Sequence, residues 1–165
     1  MQKKKAVVFY IDFDDTLYDH KYHWKYNEDL EYNMLFGFNK IPYEEKYLNH
    51  ELVNKVQTIK NENIKNGIET IICLLTGCRT SVYFKSKTDF LDKVTPNMFD
   101  EYFSVATQED KLPMIDEYTE YLKSNYEISK VVVIDDSFIV TALCQDKGYD
   151  AMAPGYFEKH YELEL

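Results

Sequence analysis

The chain has 165 residues, a length that suits one domain around one hydrophobic core. Hydrophobic residues make up 45% and charged residues 29%, which is the ordinary balance of a globular protein. The net charge is −10 without a long basic stripe, which argues against a stable nucleic-acid partner but not against an enzyme acting briefly on a nucleic-acid end.

The cysteines and the apolar stretches predict the compartment. Cys73, Cys78 and Cys144 are an odd number without CxxC spacing, so we expect reduced thiols, with Cys73 and Cys144 in the core. Residues 1–5 are basic, but the apolar stretch behind them is too short for a secretory signal. No stretch has the length of a membrane span, and we expect a cytoplasmic protein without a membrane partner.

The first predicted element is a buried strand that ends in acids. Residues 6–11 are apolar and of strand-forming type, and Asp12, Asp14 and Asp15 follow them. Charges at the end of a buried strand need compensation by a cation, a substrate or a tight turn. We expect Asp15 to orient that turn rather than to take part in chemistry.

Residues 18–41 are aromatic and weakly periodic, and we interpret them as a small flap or insert. Within this segment His20 and His23 are three apart, but no cysteine or further histidine lies nearby, so we expect exposed histidines rather than a zinc site. A helix is then predicted from about 43 to 66, with Pro42 at its start and Gly67 at its stop.

Strands and helices alternate over the remaining chain. We predict strands at 69–75, 102–105, 131–134 and 149–152, with helices within 82–94, from Pro113 to Leu122, and from a Ser137 cap to Gly148. The alternation predicts parallel pairing. The expected fold class is α/β: a three-layer, Rossmann-like, single domain over 1–165, whose central, mostly parallel sheet of about five strands has helices on both faces.

Four acids fall at the carboxyl ends of two of these strands. Asp12 and Asp14 follow the first strand, and Asp135 and Asp136 follow the strand at 131–134. Ligands of open α/β sheets bind at this edge, and four carboxylates there call for a divalent metal. Oxygen ligands suit Mg²⁺. With a hydroxyl and a lysine nearby, such a site suits phosphoryl transfer.

These motifs resemble those of the haloacid dehalogenase (HAD) superfamily. Asp-Phe-Asp-Asp-Thr-Leu at 12–17 resembles its first motif, Leu-Leu-Thr-Gly at 74–77 its second, and Val-Ile-Asp-Asp at 133–136 its fourth. Lys111, 24 positions before Asp135, matches the lysine of the third motif. Lys85, Lys87 and Lys123 are the alternatives for that lysine. The resemblance covers about residues 6–140 and implies a HAD-like fold.

The resemblance also implies catalytic roles. Asp12 would be the nucleophile that forms an aspartyl-phosphate, and Asp14 the general acid and base. Thr76 would hold a phosphate oxygen, and Lys111 would stabilise the charge of nucleophile and phosphate. The superfamily's phosphatases use an acid at the position of Asp14 and its dehalogenases lack it, which favours a phosphomonoester hydrolase.

The implied cofactor is Mg²⁺, bound by Asp12, the main-chain carbonyl of Asp14, and Asp136 or Asp135. In relatives with adjacent acids the second acid often binds directly, which favours Asp136. A calcium loop would need helical flanks and a central glycine. A response-regulator receiver would place its lysine last in the chain. Neither pattern is found here.

The spacing of the motifs predicts a capless or minimal-cap site. About 60 residues separate Asp14 from Thr76, and a long predicted helix uses many of them. An open site would accept a phosphorylated substrate that is bulky, including a nucleotide or polynucleotide end. The alternative function is a non-catalytic HAD-like module that binds metal or phosphate within a larger assembly.

Overall fold

The structure, a computed structural model, describes residues 1–21 and 40–165. Most of the flap predicted at 18–41 therefore lies outside the described residues. Within the described ranges, no helix combines the length and the hydrophobicity needed to cross a bilayer. The thiols are free, and Cys73 and Cys144 are buried as predicted.

The strands form a parallel sheet. They are β1 (Lys4–Ile11), β2 (Glu69–Gly77), β3 (Glu101–Val105), β4 (Tyr126–Ile134) and β5 (Asp150–Met152), in the order β3-β2-β1-β4-β5. After β3 the chain crosses to the other side of β1, so the strand order reverses between β1 and β4. Such a reversal opens a crevice at the carboxyl edge of the sheet.

Helices cover both faces of the sheet. They are α1 (His50–Lys65), α2 (Ser81–Val94), α3 (Lys111–Leu122), α4 (Phe138–Asp146) and α5 (Pro154–His160). Alternate residues of β1 pack to opposite sides: Val7, Phe9 and Ile11 share a core with α1, α2 and α5, while Ala6, Val8 and Tyr10 share one with α3 and α4. A strand buried on both faces explains the continuous apolar run. The predicted α/β fold class is confirmed.

The start of α1 differs from the prediction. Pro42 does not begin a helix; a short 3-10 turn at Glu45–Tyr47 precedes the true N-cap, Asn49. The Asn49 side chain accepts a hydrogen bond from the backbone N–H of Leu52 and donates one to the carbonyl of Thr16. The stop was predicted correctly, because Gly67 adopts a left-handed φ of 71°.

Helix α5 was not predicted, because seven residues are too few to show a helical period. Pro154 stands in its first turn, and Phe157 is fully buried against Phe9, with ring centroids 6.2 Å apart. Lys55 of α1 donates hydrogen bonds to the carbonyls of Phe157 and Tyr161 at the end of the helix. Tertiary contacts therefore hold this short helix in place.

We predict that Phe157→Ala lowers the free energy of unfolding by about 3–5 kcal/mol, because it empties a filled position of the core. The measurement is the urea unfolding midpoint. Tyr156→Ala is the matched control. The Tyr156 side chain, next to Phe157 in the chain, is 55% exposed, so its removal should lower the free energy of unfolding far less. Equal losses in the two variants would contradict the anchoring role of Phe157.

Candidate active site

A tight turn follows β1 and sets the positions of its acids. The backbone N–H of Asp12 donates to the carbonyl of Ile134 at 3.0 Å, which ties the end of β1 to the end of β4. The carbonyl of Phe13 then accepts from Leu17 and Tyr18, and Asp15 takes a left-handed φ of 58°. The Asp15 carboxylate accepts the backbone N–H groups of His20 and Lys21, as expected for a residue that orients the turn.

Lys111 connects the acids of β1 and β4. Its ammonium lies 2.9 Å from Asp12 and 2.7 Å from Asp135, and all three side chains are buried. Burial opposes the charge of Lys111, but the two carboxylates raise its pKa above the ordinary value. Burial and the nearby Asp12 raise the pKa of Asp135 to about 6. The second oxygen of Asp135 accepts from the backbone N–H of Ser137 at 2.8 Å.

The hydroxyl of Thr16 links the same two loops. It donates to the second carboxylate oxygen of Asp12 at 3.2 Å and accepts from the backbone N–H of Asp136 at 3.1 Å. One oxygen of Asp12 therefore faces Lys111 and the other faces Thr16. This arrangement fixes the orientation of the carboxylate.

Three carboxylates form a group that could hold a metal ion. Asp12, Asp135 and Asp136 each offer an oxygen, and these oxygens lie within 4.8 Å of one another. Partial burial, with the adjacent Asp12 carboxylate, raises the pKa of Asp136 to about 8. One lysine does not balance three carboxylates. An all-oxygen ligand set with excess negative charge fits a hard divalent cation such as Mg²⁺.

A second polar network surrounds Asp14. The ammonium of Lys87, on α2, lies 2.7 Å from an Asp14 carboxylate oxygen and 2.7 Å from the Thr76 hydroxyl, and it reaches the Gly77 carbonyl at 3.3 Å. The Tyr83 hydroxyl lies 3.4 Å from both Asp14 oxygens. Lys87 therefore connects the acid that follows β1 with the threonine near the end of β2.

The lysines named from the sequence have different surroundings. Lys111 contacts the Asp12–Asp135 pair, whereas Lys85 and Lys123 form exposed pairs with neighbours on or near their own helices. Lys87 was considered only as an alternative to Lys111, and its contact with Asp14 was missed. A sequence signal existed, because Lys87 falls on the buried stripe of α2 with Tyr83, Phe90 and Leu91.

The expectation that His20 is an exposed histidine was wrong. Its side chain is buried, and its Nδ1 atom lies 3.4 Å from an Asp14 oxygen. Burial lowers the pKa of His20, which favours a neutral ring near pH 7. The Asp15 carboxylate accepts the backbone N–H of His20, which holds this residue beside the turn after β1. His23 lies outside the described residues.

Comparison with known proteins identifies a structural relative. No protein-family model and no curated protein matches the chain. Among solved structures, an archaeal β-phosphoglucomutase from the hyperthermophile Pyrococcus sp. strain ST04 is similar, with a TM-score of 0.50 and 14% identity. The similarity covers 98% of this chain and 88% of that chain. At this identity the similarity is one of fold: the chain shares the α/β fold of that enzyme.

We predict that the metal-free protein loses stability as the pH rises from about 4 towards 8. The folded-state pKa values of Asp135 and Asp136, about 6 and about 8, lie above the ordinary aspartate value. Protonation of these two acids therefore stabilises the folded state fully below about pH 4, and this stabilisation is lost as the pH rises from about 4 to 8. In EDTA, the thermal midpoint of the wild type, measured relative to that of Asp136→Asn, should therefore decrease as the pH is raised from 5 to 8.

Adding Mg²⁺ should reverse this trend, since the ion replaces the protons on the carboxylates. Its stabilisation of the wild type should be larger at pH 8 than at pH 6 and should be much reduced in Asp136→Asn. Asp146→Asn, which changes an exposed acid at the end of α4, is the control and should respond like the wild type. Equal Mg²⁺ stabilisation of all three proteins would argue against the site.

Proposed function

We propose that the chain is a Mg²⁺-dependent phosphomonoesterase that acts through an aspartyl-phosphate on Asp12. The observation that carries this proposal is the convergence of Asp12, Lys111, Asp135 and Asp136 at the carboxyl edge between β1 and β4. The HAD-like fold supports it, because the residues matching the superfamily's motifs lie at the edge where such folds bind ligands.

In the proposed first step, a carboxylate oxygen of Asp12 attacks the phosphorus atom and the bond to the ester oxygen breaks. Asp14 gives a proton to the leaving oxygen, and the alcohol departs. Asp14 then removes a proton from a water that attacks the aspartyl-phosphate. Inorganic phosphate leaves and Asp12 is restored. The ammonium of Lys111 reduces the repulsion between the carboxylate and the phosphate, and the Thr76 hydroxyl donates to a phosphate oxygen.

Asp12 and Asp136, with the main-chain carbonyl of Asp14, would hold the Mg²⁺ ion. When bound, this ion supplies positive charge that neutralises the phosphate. Asp135 already binds Lys111 and the backbone of Ser137, so we assign it a supporting role. This division agrees with the preference for Asp136 as the direct ligand.

For the substrate we propose a phosphorylated molecule that an open site can accept, including a bulky one. The net charge of −10 disfavours retention of a long polyanion after turnover. A panel of phosphorylated metabolites, a phosphopeptide and a 3′-phosphorylated oligonucleotide would separate the classes. The class with the highest kcat/KM identifies the substrate type.

We predict that Asp12→Asn lowers p-nitrophenyl phosphate hydrolysis by at least about a thousandfold, because an amide cannot form the covalent intermediate. The assay runs with Mg²⁺ and with EDTA, and EDTA should abolish wild-type activity. Circular dichroism checks that the variant remains folded.

Asp15→Asn is the matched control for this experiment. It changes an acid three positions away whose carboxylate caps the turn, and asparagine tolerates the left-handed backbone there. Its activity should stay within a few-fold of the wild type. Substantial turnover by Asp12→Asn would refute the nucleophile, and an inactive wild type would favour the non-catalytic alternative.

A further inference from the structure

We propose that Lys87 is a positioning residue that holds the general acid Asp14 and the phosphate-binding Thr76 in a fixed relation. The inference rests on the proposed phosphatase function and deepens it. The Lys87 side chain has no exposed surface, although it carries an ammonium group. A charge at such a depth is retained only where partners compensate its loss of water.

The partners of Lys87 use all of its donors. An ammonium has three N–H bonds, and it is hydrogen-bonded to three oxygen atoms: Asp14 at 2.7 Å, Thr76 at 2.7 Å and the Gly77 carbonyl at 3.3 Å. With every donor occupied, Lys87 has none left for a substrate. Its role is therefore indirect, through the two side chains that it holds.

Aromatic rings limit the movement of the ammonium. It lies 4.2 Å from the ring centroid of Tyr83 and 5.2 Å from that of Phe13. Rings at these distances attract a cation and exclude water from it. The same Tyr83 places its hydroxyl near Asp14, so the side of the carboxylate towards α2 is enclosed.

The bond to Thr76 has a consequence for phosphate binding. Since the Thr76 oxygen accepts from Lys87, the hydroxyl hydrogen remains available to donate to a phosphoryl oxygen. The bond to Asp14 sets the acid on the side of the site that faces β2. Lys87 thus fixes the distance between the group that binds the phosphate and the group that protonates the leaving oxygen.

The test compares two substrates with different needs for the acid. The p-nitrophenolate anion leaves without a proton, whereas an alkoxide from glycerol 2-phosphate requires one. We expect Lys87→Met to lower kcat/KM, which reports phosphoryl transfer to Asp12 and not the later hydrolysis, by roughly a hundredfold for glycerol 2-phosphate and by only a few-fold for p-nitrophenyl phosphate. Lys85→Met, on the exposed side of the same helix, should leave both values unchanged.

A double variant separates positioning from direct phosphate binding. In an Asp14→Asn background, Lys87→Met should lower kcat/KM for glycerol 2-phosphate only by the few-fold seen with p-nitrophenyl phosphate, because the acid is already absent and only the contact with Thr76 is lost. Equal losses with both substrates, or an undiminished loss in the Asp14→Asn background, would overturn the inference.

A second Lys87 variant and the activity of the wild type distinguish failure of the positioning role from failure of the phosphatase proposal. If Lys87→Met does not fold, Lys87→Gln is measured in the same way; it retains N–H donors and should show the same selective loss at smaller size. An active wild type with an unselective Lys87 variant defeats the positioning role alone. An inactive wild type defeats the phosphatase proposal and the inference with it.

Discussion

The pairing of β1 with β4 is the constraint on which the site depends. Ile11 pairs with Ile134 in register, so the residues that follow them, Asp12 and Asp135, are neighbours at the same edge. Carboxylates this close repel one another when buried. Lys111, at the first position of α3, provides the compensating charge between them. The excess negative charge that remains is the physical basis for proposing a bound cation.

Two buried lysines bind different acids. Lys111 pairs with Asp12 and Asp135, while Lys87 connects Asp14 with Thr76. Phe13 separates Asp12 from Asp14 along the chain, and its ring packs with the aromatic residues Tyr18, Tyr43 and Phe90. The turn after β1 can therefore direct two carboxylates into separate polar networks. A nucleophile and an acid with distinct roles need such a separation.

Much of the fold was predictable, because most of its elements carry strong local signals. The apolar strands, the Ser137 cap and the Gly67 stop are confirmed. Errors occurred where a tertiary contact outweighs the local pattern. Helix α5 depends on the burial of Phe157, and α1 begins at Asn49, where the cap also binds the turn after β1. The first half of β4 was missed because its residues alternate between exposed and half-buried.

The order of the amino acids alone was enough to indicate an α/β sheet with acids at its carboxyl edge. The ends of strands and the acids that follow them can be recognised from short sequence patterns, and parallel pairing brings those ends together. The match to the third motif had already assigned Lys111 to Asp12. Folding was needed to pair Lys87 with Asp14, because the two are 73 positions apart. Contacts at such separations depend on how helices pack over the sheet, and no local pattern encodes that packing.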